Sequence, residues 1–385
     1  MTTYKILQYL FWSFFSLLFL TYLFYPLFLR FIRWGRVLPK PGYLNDFPKV
    51  SVILPVYNEE LIIRDKIENF LHQNIPAEKL EVIVISDASR DRTDEYIRGF
   101  NDLRIKFLRL EKRSGKAVSI NNGVAESTGK ILVFTDANTI FEPDAISKLV
   151  RNFGTFEVGG VCGYLEITPK DRNKLEARYW KHERSLKELE GVIGSVCGAN
   201  GGIYAIKKEY FKPLPKNKNI LDDFILSLQP VKHGKRLIFE PEARAREEST
   251  SDILSEYRRK IRIGNADFNS IKEMGFLFNI FKYGWISVFY FLHKFLRWFS
   301  PVFLLGVWFS NLFMNSLSTF YNITIGLQIV FYLIGFSGWL LLKKKKILPI
   351  ITPISYFCLM NVSLLIGMLN WITRDSSPIW DPDRK

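Results

Sequence analysis

Cysteine and histidine are scarce in this chain, with three of the first and four of the second in 385 residues. Cys162, Cys197 and Cys358 form no Cys-x-x-Cys pair and the histidines are scattered, which excludes a zinc-built or disulfide-built fold. Sparse, unpaired thiols fit a reducing, cytoplasmic setting for the water-soluble part. Internal repeats and low-complexity segments are lacking too, so a solenoid or a disordered linker protein is not expected. A Walker A loop is also missing: Arg113-Ser114-Gly115-Lys116 would need a glycine five residues before Gly115, and Leu110 stands there.

What is abundant is apolar and basic. Hydrophobic residues make up 48% and aromatics 15%, enough for one globular core with residues left over for membrane segments. The formal charge of +15 suits phosphorylated substrates, anionic lipid surfaces or nucleic acid equally well. Nucleic acid is set aside because many of the cations flank apolar runs and no recognition motif accompanies them.

Ile6 to Leu29 contains no charge and is long enough to cross a hydrocarbon core of roughly 30 Å. It lacks the short apolar region and small-residue cleavage site of a signal peptide, so it reads as a permanent anchor. Arg30, Arg33 and Arg36 follow it against a lone Lys5 before it, which places the next domain in the cytoplasm. Tyr283 to Leu292 is apolar but short and aromatic, as expected of an interfacial helix. Trp298–Met314 and Phe320–Leu342 read as a hairpin of spans closed on the cytoplasmic side by Lys343-Lys344-Lys345-Lys346. Pro349 and Pro353 leave residues 347–372 open between a span and a re-entrant helix. The chain therefore divides into an anchor and linker (1–46), a cytoplasmic domain (47–276) and a membrane-associated end (277–385), a multi-pass arrangement in the cell membrane.

Within the central domain, short β-branched runs alternate with amphipathic stretches, the order of βαβ units on a mostly parallel sheet. The spacing predicts strands at Val50–Leu54, Val82–Ile85, Ile105–Arg109 and Ile131–Thr135, with helices at Glu59–Leu71, Arg92–Phe100 and Lys116–Ala125. Asp87 and Asp136 each end a strand, on the carboxyl edge where α/β folds bind nucleotides. Lys116 follows a glycine turn at a helix start, where a cation and free N–H groups can face a diphosphate; a solvated lysine is the plain alternative.

In order, Val50-Ser-Val-Ile-Leu-Pro55-Val-Tyr57-Asn58-Glu59, Ser86-Asp87-Ala-Ser-Arg-Asp91, Thr135-Asp136-Ala137-Asn138, Cys197-Gly198-Ala199-Asn200-Gly201, Leu221-Asp222-Asp223-Phe224-Ile225-Leu226 and Arg258-Arg259-Lys260-Ile261-Arg262-Ile263 resemble the inverting family 2 glycosyltransferases, in the cellulose, chitin and hyaluronan synthase-like branch. The resemblance implies an α/β, GT-A-like nucleotide-diphospho-sugar transferase domain between N- and C-terminal transmembrane helices. It implies that Pro55, Tyr57, Glu59 and Asp87 border the nucleotide and that Lys116, Arg259 and Arg262 face the diphosphate. Asp136 would hold Mg²⁺ or Mn²⁺ with Asn138, which stands where the family has a second carboxylate. Asp223 would be the catalytic base beside Asp222, while Gly198, Asn200 and the tail residue Trp380 would lie on the acceptor side. Trp380 belongs to Trp380-Asp381-Pro382-Asp383-Arg384, which is similar to a Trp-x-Pro-x-Arg ending of related membrane enzymes.

Two departures bear on activity: Asn138 removes one ligand charge, and Ile263 replaces the tryptophan that stacks under acceptor sugar in processive synthases. The expected activity is transfer of a sugar from a nucleotide-sugar donor, a UDP-sugar, to a carbohydrate or polyprenyl-linked acceptor in envelope or exopolysaccharide synthesis, by single addition or processively. The alternative is a non-catalytic nucleotide-sugar-binding membrane scaffold.

Overall fold

A computed structural model of the chain describes residues 2–37, 44, 46–168, 175–248, 253–314, 318–344, 348 and 351–373. Eight strands form one sheet: β1 Val50–Val56, β2 Leu80–Ser86, β3 Ile105–Arg109, β4 Ile131–Phe134, β5 Thr139–Phe141, β6 Val158–Thr168, β7 Tyr204–Lys207 and β8 Arg236–Glu248. Their order across the sheet is β3-β2-β1-β4-β7-β6-β8-β5. The first four are mutually parallel, and the apolar runs of β1, β2 and β4 are buried on both faces because helices cover both.

Beyond β4 the mostly parallel expectation gives way to a mixed sheet. Strand β7 runs antiparallel to both β4 and β6, and β5 runs antiparallel to β8. The winding direction reverses beside β1, so a crevice opens past the carboxyl ends of β1 and β4.

Two apolar cores lie on opposite faces of the sheet. One packs Ile63, Ile67 and Phe70 from the helix Ile63–Leu71 against strand residues such as Val52 and Val84. The other contains Leu186 and Leu189 of the helix Leu175–Ile193, together with Tyr25, Leu29, Ile286, Phe289 and Trp298. The segments predicted to touch the bilayer are thus built into one face of the domain.

Among the described residues, three helices are long and apolar enough to cross a membrane: Thr3–Ile32, Thr319–Lys343 and Ile351–Ile372. The first contains a π-helical turn at Leu20–Phe24 just before Pro26, whose missing N–H and bulky ring disturb the regular ladder. Residues 351–372 form one unbroken helix of 22 residues, about 33 Å long, with Pro353 in its first turn where a missing N–H costs nothing.

The expected span Trp298–Met314 is corrected. The helix there is Ser300–Leu312, 13 residues and about 20 Å, because Pro301 starts a new helix after Phe299 and Trp298 is drawn into the domain core. The run before it, Trp285–Phe289 followed by a π-helical Tyr290–Phe295, packs Ile286, Phe289 and Tyr290 into that same core.

The helix Ile253–Met274 lies against Ile351–Ile372 at a glycine contact. A Cβ on Gly367 would stand 2.6 Å from the backbone N of Asn265 and 2.9 Å from the carbonyl O of Ile261. Backbone cannot yield as a side chain can, so Gly367→Leu is expected to force the helices apart and destabilise the protein by about 1–3 kcal/mol or more. Thermal unfolding in detergent checks this; an unchanged midpoint would mean the contact is not made.

Candidate active site

The crevice is a cavity of about 800 Å³ bordered by the loops after β1, β2 and β4, the Ala199–Gly202 loop and the helix Ile253–Met274. At one end, Asp87 is 2% exposed and accepts from the backbone N–H groups of Ser114 (2.7 Å) and Gly115 (2.8 Å). It also pairs with Arg113, whose guanidinium lies 3.3 Å from the ring centroid of Tyr57. The loops after β1 and β2 are stitched together. Asn58 N donates to Ser89 Oγ at 3.1 Å, Glu59 N donates to Thr93 Oγ1 at 2.7 Å, and Arg90 N donates to Asn58 Oδ1 at 2.9 Å. Asn58 and Ala88 sit at φ values of 53° and 58°, a conformation that side-chain-bearing residues seldom hold without support from their surroundings.

At the centre, Lys116 Nζ lies 2.8 Å from Asp136 Oδ1 and 2.9 Å from Asp222 Oδ2. Beneath Asp136, fully buried Lys66 donates to Thr135 Oγ1 at 2.9 Å and to the carbonyl of Thr139. Burial alone would push the Asp136 carboxyl up, but Lys116, then Lys66 and Arg259, hold it below the usual range. Asp223 behaves oppositely: burial and then the neighbouring Asp222 push it up to about 6, against the pull of Lys116. The two carboxylates face each other across one glycine. A Cβ on Gly201 would lie 3.3 Å from Asp223 Oδ2 and 3.4 Å from Asp136 Oδ2, so a side chain there would crowd both carboxylates.

Pro55, Tyr57, Glu59, Asp87, Lys116, Asp136, Asn138, Asn200, Asp222, Asp223, Arg259 and Arg262 all line this cavity. Gly198 does not; at φ 95° it turns the chain behind the loop, where a Cβ would run into the ring of Phe224 at 2.4 Å. Asn138 turns its side-chain N toward Glu247 Oε1 at 2.9 Å. Trp380 lies outside the described residues.

Several groups on the walls were not anticipated. Asp267 lines the cavity, 7% exposed, and its carboxyl is pushed up to about 7, chiefly by burial. One face of the helix Leu175–Ile193 presents Glu183, Lys187 and Glu190. Lys187 Nζ donates to Asn200 Oδ1 at 2.5 Å, and Glu183 pairs with Arg297. Glu190 accepts from Cys197 N at 2.8 Å and from the Tyr25 hydroxyl at 2.5 Å, and lies 2.7 Å from His293 Nδ1. The four-then-three spacing of Glu183, Lys187 and Glu190 was a readable signal, as was a lysine on the apolar stripe Ile63, Lys66, Ile67, Phe70.

Residues 51–212 match the sequence profile of glycosyl transferase family 2. Over that stretch the chain is similar to a glycosyl transferase family 2 domain. It is 25% identical over 313 residues to the probable glycosyltransferase YdaM of Bacillus subtilis, covering 75% of this chain and 72% of that one. It is 28% identical over 172 residues to a poly-beta-1,6-N-acetyl-D-glucosamine synthase of Staphylococcus epidermidis, covering 42% of this chain and 40% of that protein. The matched stretch thus spans well under half of that synthase. In architecture the chain is similar to the mannosyltransferase PcManGT from Pyrobaculum calidifontis, solved with GDP-Man and Mn²⁺. The TM-score is 0.68 at 21% identity, over 96% of this chain and 100% of the other, and the fold is GT-A-like.

The Tyr25–Glu190 contact ties the N-terminal helix of the transferase to the loop beside its carboxylates. Tyr25→Phe is expected to cost about 1–3 kcal/mol by leaving a buried carboxylate short of a donor. A double-mutant cycle with Glu190→Gln, read by thermal unfolding, should be clearly non-additive. Additive effects would mean the two side chains do not interact.

Proposed function

We propose that the protein is a membrane-embedded, inverting glycosyltransferase that moves a sugar from a nucleotide-sugar donor, with UDP-sugars the first candidates, to a carbohydrate or lipid-linked hydroxyl. The observation that carries the reading is the placement of Asp223 opposite Asp136 and Lys116 across Gly201. The donor diphosphate sits on the Lys116 side, with Arg259 and Arg262 of the facing helix as further positive groups, and the nucleoside lies toward Tyr57 and Asp87. The acceptor oxygen attacks the anomeric carbon from the Asp223 side. As the new C–O bond forms, the bond to the diphosphate breaks, its electron pair leaves with the nucleoside diphosphate, and the hydroxyl proton passes to Asp223.

Asp136 offers a hard, cavity-facing carboxylate that suits Mg²⁺ or Mn²⁺, and among the described residues no group of three acids, histidines or cysteines forms a ready-made metal site. Asp136 would hold such an ion, which would supply positive charge for the leaving group. Asn138 is committed to Glu247 and serves the ion less directly. Positive residues after the first helix and after Leu342 support a multi-pass protein of the cell membrane with its catalytic domain in the cytoplasm. The neighbours in polysaccharide synthesis support a place in envelope or exopolysaccharide assembly.

Full-length protein assayed with a panel of nucleotide sugars, reading released nucleoside diphosphate, tests this. Asp223→Asn should lower kcat by roughly 10²–10⁴-fold with donor KM little changed, and near-normal transfer would remove Asp223 as the base. The base acts only when deprotonated. With Asp223 pushed up to about 6, kcat/KM should therefore be flat above that pH and fall on acidification through it, a fall that Asp223→Asn abolishes. Chelation should stop turnover and Mn²⁺ or Mg²⁺ restore it; activity indifferent to chelator would exclude the metal.

A further inference from the structure

The cavity does not end at the carboxylates. It runs on past Asp267, Lys294 and Arg297 to Tyr22 of the first membrane helix and to Phe357 and Asn361 of Ile351–Ile372. Its floor is a polar bridge between membrane helices, in which Tyr22 donates to Ser300 Oγ at 3.0 Å and Ser300 donates to Asn361 Oδ1 at 2.7 Å.

The rings of Tyr22 and Phe357 meet edge to face at 5.3 Å. The same two residues line a second cavity of about 660 Å³ among the helices Thr3–Ile32, Ser300–Leu312, Thr319–Lys343 and Ile351–Ile372. One aromatic pair therefore separates the catalytic chamber from this groove. Apart from Tyr22, Gln328 and Tyr332, every described side chain on its walls is hydrocarbon or phenyl, including Phe15, Leu304 and Phe331. Its rim residues Leu23 and Leu327 are 53% and 64% exposed, so it opens on the apolar outer surface of the helices.

A hydrated sugar polymer would lose its hydrogen bonds to water in such a groove and find almost no replacements. A hydrocarbon chain loses nothing there. The neck between the two cavities carries the cations Lys294 and Arg297, which share the single carboxylate Glu183 and so leave net positive charge to suit an anionic linker.

Resting on the transferase reading above, we propose that the acceptor is a phosphate-linked long-chain lipid. Its hydroxyl-bearing head reaches Asp223, its phosphate lies at the Lys294–Arg297 neck, and its hydrocarbon tail runs past Tyr22 and Phe357 into the apolar groove.

The test uses the full chain in nanodiscs with its donor, reading transfer to one sugar presented free, on geranyl diphosphate, or on a long polyprenyl diphosphate. The long-chain arm should exceed the geranyl arm by roughly tenfold or more in kcat/KM. Leu327→Trp and Leu23→Trp, which fill the mouth of the groove from exposed positions, should erase that advantage while donor hydrolysis by water stays unchanged. Equal use of all three acceptors, or a chain-length advantage that both variants leave intact, overturns the lipid assignment and leaves the transferase standing. No nucleotide release in any arm, water included, would instead overturn the transferase reading and this inference with it.

Discussion

One ammonium organises the centre of this protein. Lys116 enters at the start of a helix after β3, Asp136 at the end of β4 and Asp222 at the start of the helix Asp222–Leu228, and the three converge within 2.9 Å. Three carboxylates around one crevice would repel one another in a partly buried site. The lysine resolves this for Asp136 and Asp222; burial lowers its own pKa, but the charges of those carboxylates raise it by more, so it stays protonated. Asp223, one residue on, is left as the carboxyl with the raised affinity for a proton. A single cation thus splits chemically identical side chains into one that stays ionised and one with the higher affinity for a proton, the division of labour acid–base chemistry requires.

The same site is fastened to the membrane elements. Lys187 holds Asn200, and Glu190 holds the backbone of Cys197, so the loop that ends at Gly201 is clamped from one helix face. The other bonds of Glu190 go to Tyr25 and His293, on the first membrane helix and on the helix that lies along the domain. Buried carboxylates are expensive unless fully partnered, and here the partners come from segments far apart in the chain. The cost of burying Glu190 is offset only when those segments dock, which makes the shape of the acceptor side depend on docking of the membrane helix.

How much of this was readable depends on the range of the interactions involved. Strand Ile105–Arg109 and helix Lys116–Ala125 have the bounds their local patterns predict, because each is bracketed by turn residues, and the helix also buries one face along its own period. The helix expected at Glu59 starts at Ile63 because the carbonyl of Glu59 accepts from the N–H groups of Ile62 and Ile63, and Asn58 holds a left-handed turn braced by the loop after β2. That bracing comes from residues about thirty positions away and leaves no local mark. The antiparallel β7 likewise depends on pairing across the sheet, and the truncation of the expected span at Trp298 depends on a core that sequence cannot assemble.

Site residues divide along the same line. Asp87, Asp136 and Asp223 sit at strand or helix ends, where the backbone itself aims side chains into a crevice, so their motifs sufficed to single them out. Asp267 and Arg297 point into the cavity from the middles of helical segments, where an acid or a base in sequence looks like any solvated side chain. What distinguishes Asp267 is that its helix, Ile253–Met274, is held between the domain and Ile351–Ile372 by the backbone contact at Gly367. Its packed side buries Lys260 and Asp267 along the cavity while Arg258 and Lys272 stay exposed, so part of the second tier of charged groups follows from helix packing.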